Sequence, residues 1–562
     1  MSIKHGSTSI LTYEVVMPPD LNFLILALIS AVPLLLWTIG LLGSILPGDQ
    51  ARLVARLSNG VAGVSFVGAV LAALLYAVGG KSATATLFSL ALPGSVGALA
   101  LSIYLNAVTV IMLPLVSFVG FVVSRYTRNY LQGEKNQGRF YTWLNFTLAA
   151  ILTLIVSGNM LMFVLAWVAT SLCLHHLLVF YPERVGAVLA ARKKFIVSRV
   201  GEVSLLIAVL LIGSTLHTME FERVFRDMAA MSGPLPPMLQ WASWLIVLTA
   251  ALKSAQFPFQ GWLIQVMEAP TPVSALLHAG IVNAGAFLIV RMSPIMSNAI
   301  SASDGLAIIG LTTITAAGLV MLTQTSIKVF LAWTTTAQMG FMLLECGLGL
   351  YSLAMLHLVT HSLYKAHAFL SSGSGADAYR TPAVSLAQPL PTFWQWIVVL
   401  AFAGLMTIGI GTAFGVDPQH QPALLALGVI VAVAMTQLLL QSFKTGMGAA
   451  FIARAAGLTA LVGAAYFSLH AAFHFMLATS FPAVRIVNGP AQFPIIGLVM
   501  VVFLTIFLIQ QSLPRLVRNP LAHRAYVHLY NGLYVDIPFS RLVRKVWRMR
   551  SIPSAQQRGV RS

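Results

Sequence analysis

The stretch LKSAQFPFQGW, residues 252–262, ends the apolar run WLIVLTAAL with an ammonium group, Lys253, and places Pro258 five residues further on. A charge inside a bilayer segment is expensive, and its default explanation is a pathway or a partnered functional site. Pro258 has no amide hydrogen, so the carbonyl of Ser254 loses its helical partner and the helix is expected to break beside Lys253. Interrupted spans line cavities and ion sites in transporters. The plainer alternative is a lysine snorkelling to the interface from a span end. The immediate return of apolar sequence in GWLIQVMEAPTPVSALLHAG weighs against it.

Other ionisable groups fall inside apolar sequence. Glu202 follows Arg199 by three residues in SRVGEVSLL, so the two share a helix face. They can neutralise each other, and Glu202 is also a candidate countercharge to Lys253. In LHLVTHSLYKAHAF, His357, His361 and Lys365 recur at steps of four and line one helical face. Two histidines four apart also suit a metal, but no HExxH glutamate lies between them and a lysine extends the series. A proton relay is the favoured reading, since histidine titrates near neutral pH. His278 follows the TPVSALLH turn and Lys328 opens TQTSIKVFLAW. Singly, a satisfied core histidine and an interfacial lysine explain these two as well as a pathway does. The adjacent His175 and His176 lie about 100° apart on a helix, so at most one faces a pathway.

The elements that must position these groups follow from composition. Of 562 residues, 58% are hydrophobic and 9% charged, against about a quarter charged in soluble domains. The fold class is an all-α polytopic membrane protein. Apolar segments of bilayer length recur from Leu21 to Gln511, about 14 or 15 of them, with 15 the preferred count. One membrane domain, 21–511, thus lies between a polar segment, 1–20, and a basic tail, 512–562. MSIKHGSTSILTYEVVMPPD lacks the order of a cleaved signal, so the first span is expected to be retained.

The formal charge of +18 sits in short loops and the tail, which suits membrane topology rather than nucleic acid. RYTRNYLQGEKNQGR, PERVGAVLAARKK and the tail are expected to face the cytoplasm, and HTMEFERVFRD the outside. This gives an outer N-terminus and a cytoplasmic C-terminus. The tail sets many arginines against one acid, Asp536, and is expected to touch anionic lipid or to dock a soluble partner. Within it VRKVWRMR is a candidate short interfacial helix. The only cysteines, Cys173 and Cys346, lie in apolar segments and offer neither a disulfide framework nor a cysteine-ligated cluster. With no zinc cluster, nucleophile triad, phosphate loop or dinucleotide motif, neither a catalytic centre nor a cofactor is expected on this chain.

KSAQFPFQGW, EAPTPVSALLHAGIVNAGAFL, LTQTSIKVFLAWTTTAQMGF and HLVTHSLYKAHAFL follow one another across residues 253–370. Together they resemble the antiporter-like membrane subunits of respiratory complex I and of Mrp cation/proton antiporters. APTPVSALLHAGIVNAGAFLIVR and the tail motif HLYNGLYVD more particularly resemble the DabB-type membrane subunits of inorganic-carbon uptake complexes. The resemblance implies two inverted five-helix repeats with broken helices, in which buried Lys, Glu and His residues carry protons. By it, Lys253 is the broken-helix lysine, Glu202 the acid of a TRVGD-like motif, and His278, Lys328, His357, His361 and Lys365 relay groups.

It further implies a bacterial inner-membrane location and a DabA-like peripheral partner resembling a zinc carbonic anhydrase, with the zinc on that partner. Protons or sodium ions would be the coupling species. Two departures stand out: Val168 replaces the glutamate expected to partner the lysine, and a second-repeat GLPPFxGFWSK-like break is missing. AGLMTIGIGTAFGVDPQHQP, with Asp417 and His420, stands roughly in that place. These losses count against a complex I style pump and favour a conduction path coupled to a partner's chemistry. The alternatives are a proton-translocating subunit of a complex I or Mrp-like assembly, and a non-conducting membrane anchor.

Overall fold

In a bilayer every backbone polar group must be satisfied internally, which helices do within one segment. The computed structural model describes residues 21–46, 50–92, 96–372, 392–417, 421–444, 449–481, 492–516 and 519–547. The polar segment 1–20, His420 and the tail beyond 547 lie outside the described residues. The long helices are α1 (Leu21–Ile45), α2 (Ala51–Gly79), α3 (Ala107–Tyr130), α4 (Gln137–Val156), α5 (Met160–Leu178) and α6 (Val185–Leu216). An amphipathic α7 (Phe221–Ala230) precedes α8 (Pro237–Lys253), α9 (Gly261–Gln265), α10 (Thr271–Ala279), α11 (Ala284–Arg291) and α12 (Ser293–Met296). Then come α13 (Ile300–Met321), α14 (Ile327–Gly347), α15 (Tyr351–Leu370), α16 (Phe393–Ala413), α17 (Ala423–Lys444), α18 (Ala449–Leu477) and α19 (Gln492–Leu516). Two tail helices, α20 (Pro520–Tyr530) and α21 (Asp536–Val546), complete the described chain.

Thirteen spans among the described residues, α10 to α11 counted as one, are long and apolar enough to cross a membrane. Two helices miss that measure for opposite reasons: α8 stops after 17 residues at its break, and α15 is diluted by His357, His361 and Lys365. Adding them gives the 15 spans expected. One element departs from the all-α expectation. Strands β1 (Ala83–Ala91) and β2 (Ala98–Leu105) form an antiparallel hairpin with a bulge at Thr86/Phe88. ATATLFSLA alternates with a period near two, the strand signature.

Contacts between loops define two faces. On the hairpin face, Ser102 Oγ donates to Glu220 at 2.9 Å and Asn159 Nδ2 to the Ala98 carbonyl at 2.9 Å. On the opposite tail face, Arg184 Nη1 donates to the Glu268 carbonyl at 3.1 Å and Gln324 Nε2 to that of Tyr530 at 3.2 Å. The basic stretches around Arg128, Arg184 and the tail share this second face.

PERVGAVLAARKK is not the solvated loop expected. Helix α6 begins at Val185, and Lys193 and Lys194 are buried within it. The cause is a partner far off in sequence. Lys193 Nζ pairs with Asp536 at 2.5 Å and also donates to Ser540 Oγ, while Gln265 Nε2 donates to Asp536 at 2.7 Å. The tail is therefore docked on α6 and α9, with its own Val543 buried and Arg192 over the Trp547 ring at 5.6 Å.

This docking requires Gly261, because a methyl group there would overlap the Asp536 carboxylate. Overpacking of this kind costs about 1–3 kcal/mol. Gly261→Ala is expected to raise the rate of trypsin cleavage in the tail about tenfold in intact membranes. An unchanged rate would show that the tail is held elsewhere.

Candidate proton pathway through two broken spans

The break after Lys253 is fully built. Ser254 caps α8, Ala255 takes a left-handed φ of 49°, and the Phe257–Pro258 peptide is cis before α9 resumes. The Ser254 carbonyl, orphaned by Pro258, accepts a hydrogen bond from Gln256 Nε2 at 2.9 Å. Phe257 N–H donates to Thr313 Oγ1 at 3.1 Å. The next span is also interrupted, at Gly280 and a short 3₁₀ turn, Ile281–Asn283, between α10 and α11. The two breaks touch: Ser254 Oγ donates to the Val282 carbonyl at 2.9 Å, and a side chain at Gly285 would clash with Ser254 and the Ala250 carbonyl. Asn283 Nδ2 donates to Ser362 Oγ at 2.8 Å and so ties the junction to α15.

Beside Lys253, α6 brings two further cations and one carboxylate, and α5 brings Trp167 and Ser171. Arg199 Nη2 donates to Glu202 Oε1 at 2.8 Å and lies 2.7 Å from Oε2, closing the expected pair. Lys194 is buried and donates to the Ser171 carbonyl at 2.6 Å and hydroxyl at 2.9 Å; Arg199 reaches the same hydroxyl at 3.3 Å. Lys253 forms no ion pair among the described residues. Its Nζ lies 4.7 Å from the centroid of the Trp167 ring, a contact worth about 2 kcal/mol when desolvated. Glu202 is thus paired directly with Arg199 and is the carboxylate that Lys194 and Lys253 face through space.

The second half of the site runs along α15. His278 is fully buried on α10 and stacks on Phe369 at 4.3 Å, with neither ring nitrogen partnered among the described residues. His361 is also buried, and its Nε2 has no hydrogen-bond partner among the described residues. Buried polar atoms need partners, and these ring nitrogens find none among the described residues. Lys365 Nζ donates to Thr334 Oγ1 at 2.6 Å and the Leu331 carbonyl at 3.2 Å, toward the tail face. His357, toward the hairpin face, sits between Glu345 at 2.9 Å and Gln338 at 2.6 Å, its ring 6.2 Å from that of His361. At 1.5 Å per residue the line from Lys365 to His357 rises about 12 Å.

The chain that carries these two broken spans is similar to known membrane proteins. The family model for the NADH:quinone oxidoreductase/Mrp antiporter, TM, matches residues 157–448, and that for the complex I chain 5 N-terminus matches 95–141. A probable inorganic carbon transporter subunit DabB2 of Halothiobacillus neapolitanus is 43% identical over 461 residues, 81% of this chain and 82% of that protein. The chain belongs to the DabB branch of the complex I and Mrp antiporter-like family.

A probable DabB of Hydrogenovibrio crunogenus is 43% identical over 331 residues, 58% of this chain and 64% of that one. NADH-quinone oxidoreductase subunit L of Escherichia coli is 36% identical over 274 residues, 49% of this chain and 45% of that one. Over 96% of this chain and 61% of its counterpart, the fold matches the Mrp complex of Dietzia sp. with a TM-score of 0.58 at 22% identity. The chain is a multi-pass membrane protein, and its relatives are subunits of larger assemblies.

Against this family background the structure sorts the expected residues. Lys253, Glu202, His278, His361 and Lys365 lie on the helices packed around the two breaks, Pro258 makes the first of these, and His357 stands further along α15 at Glu345. Lys328 stands apart in the first turn of α14 at the tail face, half-buried, one turn before the Leu331 carbonyl that holds Lys365. Val168 is half-buried against the core, while its neighbours Trp167 and Ser171 meet the cations. Helix α16 is continuous and carries no ionisable side chain.

Sequence reasoning missed Lys194, Trp167, Gln338 and Glu345. The acid in FMLLECG was a readable signal, an ionisable group inside apolar sequence.

Proposed function

We propose that this chain conducts protons through the Lys253, His278, His361 and Lys365 constellation and couples that flow to inorganic-carbon accumulation by a DabA-like, zinc carbonic-anhydrase-like partner. The observation that carries it is Lys253: a buried ammonium at a helix break, with no ion pair among the described residues and a line of histidines beyond. Relatives named as inorganic carbon transporter subunits support the substrate class. Hydration of carbon dioxide yields bicarbonate and a proton, so accumulation needs an energy source. One charge crossing the membrane supplies about 2.3 kcal/mol per 100 mV. The chemistry belongs to the partner and its zinc, and this chain supplies the ion path.

In this reading the protein lies in a bacterial inner membrane with the basic tail face in the cytoplasm, where the partner docks. A complex I or Mrp-like pump is disfavoured by Val168 and by the uncharged α16. A protonophore is expected to abolish carbon accumulation in cells that depend on the complex, and removal of external sodium to leave it intact. Accumulation that survives the protonophore and fails without sodium would replace the proton with sodium as the coupling ion.

A further inference from the structure

We propose that Glu345, Tyr466, His470 and His474 form a second limb of this path, carrying protons between His357 and the hairpin face. The limb rests on the proton-conducting reading above. It begins at the buried carboxylate of Glu345 in the last turn of α14, held at 2.9 Å by His357 Nδ1. Helix α16, which follows α15 in the chain, carries no ionisable side chain. Helix α18 instead packs on α15, and its Tyr466 lies against the layer of Leu350, Leu353 and Leu356 that follows Glu345 in the chain.

From Tyr466 the groups recur at steps of four, in YFSLHAAFH, so Tyr466, His470 and His474 line one face of α18. His470 is half-buried with Nδ1 unpartnered among the described residues, and its ring lies 6.4 Å from that of His474. Both histidines line a cavity of about 170 Å³ with Val416, Asp417 and Gln421. At about 30 Å³ per molecule that volume admits several waters.

The cavity lies on the hairpin face, because Val416, Ala423, Leu424 and Tyr466 pack on the α15 end that begins at Tyr351. Each step offers a group that both gives and takes a proton: carboxyl, phenol, imidazole, imidazole. Asp417, in the segment that replaces the expected second break, thereby acquires a place at the mouth. A metal reading is weaker, since no group of three or more potential ligands converges among the described residues.

The test uses the complex in sealed proteoliposomes, with proton flux driven by a potassium-diffusion potential. Glu345→Gln and Tyr466→Phe are each expected to lower flux about tenfold or more at unchanged complex content. Independently of those substitutions, Ala471→Cys places a thiol on the cavity wall. A membrane-impermeant thiosulfonate reagent is expected to stop its flux when added from the hairpin face only. The native cysteines are buried and serve as the unmodified background. If wild type conducts, Lys253→Met does not, and the limb variants and modified Ala471→Cys protein conduct normally, the limb is wrong and the main path stands. If wild type does not conduct, the proton reading falls and the limb with it.

Discussion

Lys253→Met is expected to abolish inorganic-carbon accumulation in cells while leaving the assembled complex at wild-type abundance. Methionine fills nearly the same volume and keeps contact with Trp167, so the packing change is small. No carboxylate is orphaned, because Glu202 retains its pair with Arg199 at 2.7 Å. Stability should therefore move by no more than about 1 kcal/mol. Conduction loses the titratable group at the break, and a lost proton-transfer group typically lowers a rate about 10²–10⁴-fold. Labelled bicarbonate uptake, normalised to complex recovered from membranes, separates the two effects. Retained accumulation would make this lysine a structural residue and favour the anchor reading.

Glu202→Gln has the opposite character. It leaves Lys194, Arg199 and Lys253 facing one another without the carboxylate they share. Removing one partner of a buried charge cluster costs about 3–5 kcal/mol, less here because Arg199 is one-third exposed. Assembled complex should fall severalfold and melt at lower temperature. Adding Lys194→Met, which removes one of the repelling cations, should recover part of that loss, with a coupling of about 0.5–3 kcal/mol between the two sites. If the single variant assembles normally, or Lys194→Met brings no recovery, Glu202 is not the cluster's countercharge.

The sequence made the first break legible in detail, because proline chemistry is local: the carbonyl that Pro258 orphans is the one Gln256 satisfies. The step of four made the α15 line legible for the same reason. Non-local partners were hidden. Lys193 and Lys194 read as a solvated basic loop, since nothing nearby showed that Asp536, 343 residues later, would bury the first of them. The Glu202 countercharge was legible through Arg199, but its sharing with Lys194 depends on how α5 packs on α6. The spacing of Tyr466, His470 and His474 was readable, whereas the cavity that gives it meaning forms only where Val416, Asp417, Gln421 and Leu424 come to lie beside α18.

The most direct measurement is proton entry into sealed proteoliposomes bearing the purified complex, followed with an internal pH-sensitive dye at an imposed membrane potential. Wild-type complex should acidify the lumen faster than empty vesicles, and the Lys253→Met complex should match empty vesicles. Equal rates for wild type and Lys253→Met would contradict a proton path through the broken span.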